Sequence, residues 1–493
     1  MEDCKRFGRF SEYEGEFSDY PAVAIGTDEL INSLTAVPFN VHGFLTSNKS
    51  ARINDIEDKY DFKCFAINDY IKERTGKKYR FPITNKELQE AIIGKESSTY
   101  ASFAPELHED VKDFFSDLED TYDKVFVNLY QNSMPETEEF LKEFDGFVPI
   151  APSHDSKKEH DKKTDMYNFA KDLGIPVVDG EIASDFEEAA EIVESKVDEW
   201  DHGAFVSYEK GAGGNSSMFA ESGRDVRDEF LGMDGEFLVL RRIPLSKLDK
   251  NPNDLHLRYD EGTEVFSVTD QIMDGLKHTG NIYPFFEKEE DRRAVDMIEE
   301  YTELLGDARS KEGYRGFAGN DWMWTDDCEL YFVESNERKN RSTLQNVLLN
   351  EIFKEDGGPS LQYLEAIAVM EEDVEDMLKD QYLPGDYYWA MEIYKTSKDC
   401  VVHGKIPSVY ESEIEVFRDN YDDGTYGIFS APSQGTQIAH MNSVSKDDMS
   451  FESRNSGGTQ DVARIVSVAR NRDDLEKQRE ISKRKVEKQL RWV

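Results

Sequence analysis

Asp321, Glu334 and Asn336 are two acids and an amide spaced so that they could hold a divalent cation. They lie within Gly319-Asn-Asp-Trp-Met-Trp-Thr-Asp-Asp-Cys-Glu-Leu-Tyr-Phe-Val-Glu-Ser-Asn-Glu-Arg338, where two strand-like runs flank a short acidic turn around 325–328. Side chains alternate faces along a strand, which predicts that Leu330, Phe332, Glu334 and Asn336 share one face. A turn centred near Asp327 sets Asp321 opposite Glu334, on that same face. Directly opposed residues have Cβ atoms about 4.5–5.5 Å apart, and like charges there repel. Mg²⁺ would convert the repulsion into attraction, because it takes hard carboxylate and carbonyl oxygens. A solvated acidic hairpin is the competing reading, and the hairpin alone does not separate the two.

A second candidate is the glycine loop Lys210-Gly-Ala-Gly-Gly-Asn-Ser-Ser217, which follows the strand-like run Gly203-Ala-Phe-Val-Ser-Tyr208. Glycines at Gly211, Gly213 and Gly214 let backbone approach a ligand and offer consecutive N–H groups to phosphate. Lys210 adjoins the loop and is within reach of the same phosphate. The loop matches neither the GxxxxGK[ST] nor the GxGxxG pattern, so it also reads as a plain hairpin connection.

These residues need a frame. Residues 1 to about 150 alternate β-like runs (Ala22–Ile25, Lys124–Leu129, Phe147–Ile150) with helical stretches such as Leu107–Leu118, the pattern of an α/β unit. The polar segment Pro152–Lys163 marks a boundary. A helix from about Thr164 to Leu173 follows, then Gly174-Ile-Pro-Val177. Ser184-Asp-Phe-Glu187 reads as a capping box. The helix behind it carries Phe186, Ala189, Ile192, Val193 and Val197 on one face. A further strand covers Phe237 to Ile243. Helices near Leu344–Lys354 and Leu361–Leu378 lead to a second boundary at Tyr382-Leu-Pro-Gly-Asp386, and a charged helix, Arg472 to Trp492, closes the chain. The expected domains are 1–153, 154–382 (a lid at about 200–245 and a metal-site sheet at about 255–345) and 383–493.

Composition limits the function classes. At 493 residues with 38% hydrophobic side chains the chain can bury two or three cores. The net charge of −44 repels phosphate backbones and anionic lipid, which argues against nucleic-acid and membrane partners. No apolar run approaches the roughly 20 residues of a membrane-spanning helix, and the first residues show no apolar signal core. Cys4, Cys64, Cys328 and Cys400 are scattered with no CxxC pair, which fits free thiols in a reducing cytoplasm. A homo-oligomer is left open.

In their order, these pieces resemble the ATP-grasp superfamily. The matching residues are Asp161-Lys-Lys163, Gly174-Ile-Pro-Val177, Phe205-Val-Ser-Tyr208, Gly211-Ala-Gly-Gly214, Phe237–Ile243, Asp321 and Glu334-Ser-Asn-Glu-Arg338, spanning about 155–350. Within it, Thr269-Asp-Gln271, His278-Thr-Gly280, Tyr283-Pro284 and Ser342-Thr343 are most similar to carboxylate–amine (peptide-forming) ligases. The resemblance implies an α+β / α/β architecture: an N-terminal α/β pre-ATP-grasp domain, the ATP-grasp core and a small C-terminal domain. It implies ATP and Mg²⁺ as cofactors, with Asp321, Glu334 and Asn336 on the metal. Arg338 would then neutralise the transferring phosphoryl group, and Lys162, Lys163 and Lys210 would meet phosphates. The strand bearing Leu238 and Leu240 would contact adenine through its backbone. Gln271 and His278 would lie near the acceptor, and Arg241, Arg242 and Arg258 are candidates for a substrate carboxylate. The implied reaction joins a small-molecule carboxylate to an amine through an acyl phosphate, releasing ADP and phosphate. A small-molecule kinase and a non-catalytic nucleotide-binding protein are the alternatives. Two departures stand out: Ser207 occupies the slot of the usual strand lysine, and Leu240, Arg241 and Arg242 stand where the hinge strand usually ends in an acid.

Overall fold

The structure, a computed structural model, describes residues 20–27, 39–47, 62–76, 83–130, 133–158, 160, 162–196, 198–210, 216–260, 262–340, 342–343, 346–347, 350, 359–370, 374–378, 388–396, 400–402, 426–429, 449–451, 460–469 and 471–492. The chain divides into two units, Met1–His154 with Arg338–Val493, and Asp155–Glu337. Gly211, Gly213, Gly214 and most of the expected 344–354 helix lie outside the described residues.

In the first unit five parallel strands run in the order β3-β2-β1-β4-β5: β1 Pro21–Ile25, β2 Asn40–Thr46, β3 Lys63–Ala66, β4 Val125–Leu129 and β5 Phe147–Ile150. β1 and β4 are buried along their whole length. That is why they read as apolar runs, broken only by Asn128, and not as alternating ones. The helix Pro105–Glu119 starts on a proline whose missing N–H has no helical partner anyway. It buries Leu107, Val111, Phe115 and Leu118, a stripe at helical spacing, against Val125, Val127 and Leu129. The helix Asn85–Ile92 opens on a capping box in which Thr84 and Glu87 each accept the other's backbone N–H.

The same unit holds the chain after Glu337. Lys339 is fully buried, pairs with Glu365 at 2.8 Å and donates to the carbonyls of Leu129 (3.3 Å) and Ile150 (2.9 Å), at the carboxyl ends of β4 and β5. Further on are β16 Tyr388–Thr396, β17 Cys400–Val402, β18 Tyr426–Phe429, β19 Met449–Phe451, β20 Gln460–Ala469 and β21 Leu490–Trp492. β20 pairs with both β16 and β18. The closing helix, Arg472–Gln489, stops before Trp492, because Leu490–Trp492 pairs with β17 as a strand.

The second unit holds two antiparallel sheets. The smaller runs β6-β9-β7-β8, with β6 Gly180–Ala183, β7 Ala204–Tyr208, β8 Ser217–Ala220 and β9 Phe237–Arg241. Ala189, Ala190 and Val193 of the helix Phe186–Lys196 pack on Val206, Phe237 and Val239. Its cap sits one residue later than the capping-box reading. Asp185 accepts the N–H of Glu188 (2.9 Å), and Glu188, not Glu187, returns to the N–H of Ser184 (2.7 Å).

In the larger sheet β11 (Pro252–Arg258) lies between β14 (Gly316–Thr325) and β12 (Thr263–Asp274). β13 (Lys277–Tyr283) follows β12, and β14 also pairs β10 (Leu248–Lys250) and β15 (Leu330–Asn336). The helix Glu289–Lys311 covers one face, burying Ala294, Ile298 and Leu305 with Trp322, Trp324, Leu330 and Phe332. No helix among the described residues is long and apolar enough to cross a membrane.

Candidate active site

The hairpin β14–β15 turns at Asp326-Asp327-Cys328, where Cys328 takes φ 61° and its N–H donates to Thr325 O at 3.0 Å. From that turn the ladder runs Trp324↔Leu330, Met323↔Tyr331, Trp322↔Phe332 and then shifts, giving Asp321↔Glu334, Asn320↔Ser335 and Gly319↔Asn336. Val333 is the extra residue of a β-bulge. Continued without it, the ladder would set Glu334 against Asn320. The expectation that Leu330, Phe332, Glu334 and Asn336 share a face is therefore corrected. Leu330 and Phe332 pack toward the helix with Trp322 and Trp324, while the bulge turns Glu334 and Asn336 to the opposite face, beside Asp321. The predicted opposition of Asp321 and Glu334 is present.

β11 shows the same division. Asn253, register partner of Asp321, donates its side-chain N–H to Asp321 Oδ1 at 2.7 Å. Its neighbour Asp254 points the other way, where Trp322 Nε1 and Thr302 Oγ1 donate to Oδ2 at 2.8 Å each. On the site face Gln271 Nε2 also donates to Asp321 Oδ1 (2.9 Å), and Asn336 Nδ2 donates to Oδ2 (3.1 Å). Desolvation and the adjacent Glu334 carboxylate push the Asp321 carboxyl up to about 8. On Glu334, Lys163 Nζ stands 3.0 Å from Oε2.

This donor set fits a small hard dication. Two carboxyl groups are held together where ionising both carries a cost that a divalent ion would remove, and the surrounding amides can present oxygen instead of N–H by a half turn. Among the described residues no three His, Cys, Asp or Glu form a metal cluster, so the candidate is two carboxylates completed by amides.

The lysines separate into two roles. Lys163 begins the helix Lys163–Asp172 and reaches Glu334. Lys162, the residue before it, pairs with Glu209 (2.7 Å) and Glu236 (3.4 Å). Lys210 lies 3.7 Å from the other oxygen of Glu209 and is 58% exposed. Ser207, in the lysine slot, faces Ser217 across β7–β8 with Oγ–Oγ 2.8 Å. Leu238 and Leu240 are buried, and β9 is paired with β6 on one side and β7 on the other. Past them the N–H of Arg241 donates to Asp179 O and that of Arg242 to Gly203 O, so the N–H groups at this end of the strand are bonded within the protein.

Gln271 comes directly to Asp321, whereas His278 is joined to that face at one remove. His278 Nε2 lies 2.7 Å from Asn281 Oδ1, and Asn281 donates to Thr269 Oγ1 at 2.9 Å. Arg338 does not extend the strand: β15 ends at Asn336, and Arg338 opens the second segment of the first unit. Alternation beyond Asn336 therefore does not place it. Arg258 is fully buried and bound to Glu337 at 2.5 Å, which removes it from the carboxylate-binding candidates. Arg242 lies over the Phe219 ring at 4.3 Å. A cavity of about 430 Å³ opens near Trp200, His202, Arg242 and Pro244; Asp321, Glu334 and Asn336 do not line it. Sequence reasoning missed Asn253 and Glu337. Asn253 pairs with Asp321 across a separation of 68 residues, and no local pattern signals such a pair.

Neither a protein-family model nor a curated protein matches the sequence. Solved structures do. The chain is similar to the ADP complex of N5-carboxyaminoimidazole ribonucleotide synthetase, with TM-score 0.54 and 14% identity over 94% of this chain and 96% of that one. It is also similar to the biotin carboxylase domain of Hydrogenobacter thermophilus 2-oxoglutarate carboxylase in complex with MgADP, ADP and bicarbonate, with TM-score 0.59 and 13% identity over 96% and 90%. The β-γ-ATP complex of Campylobacter jejuni biotin carboxylase gives TM-score 0.57 and 11% identity over 96% and 92%. The chain has the ATP-grasp fold, with mixed α/β architecture along almost its whole length.

Proposed function

We propose that the protein is an ATP- and Mg²⁺-dependent, ADP-forming ligase that joins a small-molecule carboxylate to an amine through an acyl phosphate. The observation that carries this reading is the Asp321–Glu334 pair, opposed across a bulged hairpin and ringed by Asn253, Gln271 and Asn336. The fold adds support, since two of the similar proteins are described with ADP or MgADP and one of these with bicarbonate.

Asp321, Glu334 and Asn336 would hold Mg²⁺, which when bound draws charge off the nucleotide phosphates. Asn253 and Gln271 orient the Asp321 carboxylate through its Oδ1. Lys163, beside Glu334, and Lys162 and Lys210, both on Glu209, supply positive charge for phosphates. The γ-phosphoryl group passes to a carboxylate oxygen as the β–γ bridge breaks and ADP departs. The amine nitrogen then attacks the activated carbonyl carbon, loses a proton and expels phosphate. Arg338 is assigned to the phosphoryl or acyl phosphate charge, and His278 and Gln271 to the acceptor side. A reducing cytoplasm suits Cys64 and Cys328, neither of which is in a disulfide.

ADP release measured against panels of carboxylates, with and without amines, tests the proposal. Amine-stimulated ADP is the expected result. ADP release indifferent to every amine would point to a kinase, and no ADP release with any carboxylate would sink the enzymatic reading.

A further inference from the structure

We infer that Glu337 is a positioning residue for the cation site: anchored beneath the sheet by Arg258 and Arg309, it sets the face on which Asn336 and Glu334 stand. The inference rests on the reading of Asp321, Glu334 and Asn336 as cation ligands. Glu337 is only 8% exposed and receives three charge-assisted bonds, from Arg258 Nη1 (2.5 Å), Arg309 Nε (2.7 Å) and Arg309 Nη2 (2.8 Å). Both guanidinium groups lie over the Tyr314 ring, at 4.6 and 5.7 Å, which fixes them in turn.

Arg258 also donates from Nη2 to Ser335 Oγ at 3.4 Å. The two residues flanking Asn336 are thus tied to the same arginine on the helix side of the sheet. Ser335 lies within β15, where side chains alternate, so its neighbour Asn336 faces the other way, where its amide meets Asp321, and Glu337 holds the chain just past the strand's last residue. The ladder itself stops at Gly319↔Asn336 and already carries a bulge at Val333, so backbone pairing alone holds this end weakly. Arg258 is held further by donating from Nε to His256 Nε2 (3.1 Å), and His256 donates from Nδ1 to Asp254 (2.7 Å). A buried charged row on one face of β11 thereby braces ligands on the opposite face of β15.

A cluster serving only stability would leave cation affinity alone, and a matched control separates the two. Asp291 is another buried carboxylate of this unit, bound to Lys250 at 2.9 Å and to the N–H groups of Glu287 and Lys288. Glu337→Gln and Asp291→Asn should both lower the melting temperature. Only Glu337→Gln should weaken Mn²⁺ binding to the nucleotide-free protein, read from the free-ion EPR signal, and raise the Mg²⁺ needed for half-maximal ADP release. The expected loss is about 10- to 100-fold, as for residues that orient metal ligands. Equal Mn²⁺ affinity in wild type and Glu337→Gln overturns the inference, as does an equal loss in Asp291→Asn. Wild-type protein that binds no Mn²⁺ and releases no ADP overturns the site reading itself. Should Glu337→Gln not fold, Arg258→Lys carries the test: it keeps the charge but not the fork spanning Ser335 and Glu337, and unchanged affinity there is equally fatal.

Discussion

Lys163→Met should tighten the binding of a bare divalent cation while weakening the binding of ATP. In the structure the Lys163 ammonium lies 3.0 Å from Glu334 Oε2, and the two side chains are 18% and 26% exposed. At an effective dielectric of about 20 the raw attraction is roughly 5 kcal/mol, most of it returned as desolvation. A hydrogen bond between charged groups retains about 1.5–3 kcal/mol net. A cation that takes Glu334 as ligand has to displace that ammonium, so its removal should strengthen cation binding by about 10- to 100-fold. With nucleotide present the sign reverses, because the displaced lysine then has phosphate oxygens to meet and the methionine does not. Titrating nucleotide-free protein with Mn²⁺ by EPR gives the first quantity, and calorimetry with ATP and Mg²⁺ gives the second. A lysine that only waits for phosphate predicts no change for the bare ion. Unchanged or weaker Mn²⁺ binding in Lys163→Met, with the fold intact by circular dichroism, would refute the exchange.

Glu334→Ala and Asn336→Ala should each lower ADP release by at least about 100-fold, exceeding the loss typical of residues one shell further out. Near-normal turnover in either would remove the metal assignment. Lys210→Ala should weaken ATP binding with little change in melting temperature, since its side chain is 58% exposed; an unchanged ATP affinity would return it to the solvated class. His256 supplies a pH signature. Burial is the main force holding its imidazole below the usual range, against the opposing pull of Asp254, with Arg258, Thr302 and Trp322 packed around the pair. The unfolded chain takes up this proton first, so the stability is present above about 6.5 and is lost as pH falls from there through the folded value. The melting temperature of wild type should drop more steeply between pH 7 and 5 than that of His256→Asn. Parallel curves would show that His256 is not the group responsible.

The sequence was most legible where residue type and short spacing decide the outcome. Uniform burial of β1 and β4 leaves a run of apolar residues, Pro105 marks a helix start, and two acids either side of a turn announce a possible ion site. Legibility failed where the deciding term lies far along the chain. Glu188 took the cap expected of Glu187 because Asp185, one position on, is itself a good cap, a choice between two local solutions of similar energy. Val333 was unreadable as a bulge because nothing in Tyr-Phe-Val-Glu distinguishes an extra residue from a regular one. Its placement follows from burying Phe332 with Trp322 while keeping Glu334, a charge, out of that core. Burying a carboxylate unpaired among aromatic rings costs several kcal/mol, more than one disrupted ladder step, so the strand yields at Val333. The same reasoning explains Glu337. A glutamate buried just past the end of a strand is tolerable only with partners, and those partners, Arg258 and Arg309, stand 79 and 28 residues away. The acids that look alike in sequence are therefore sorted by what faces them. Glu337 meets two arginines and becomes an anchor, whereas Asp321 and Glu334 meet each other, a lysine and amides, the surroundings in which a cation has something to gain.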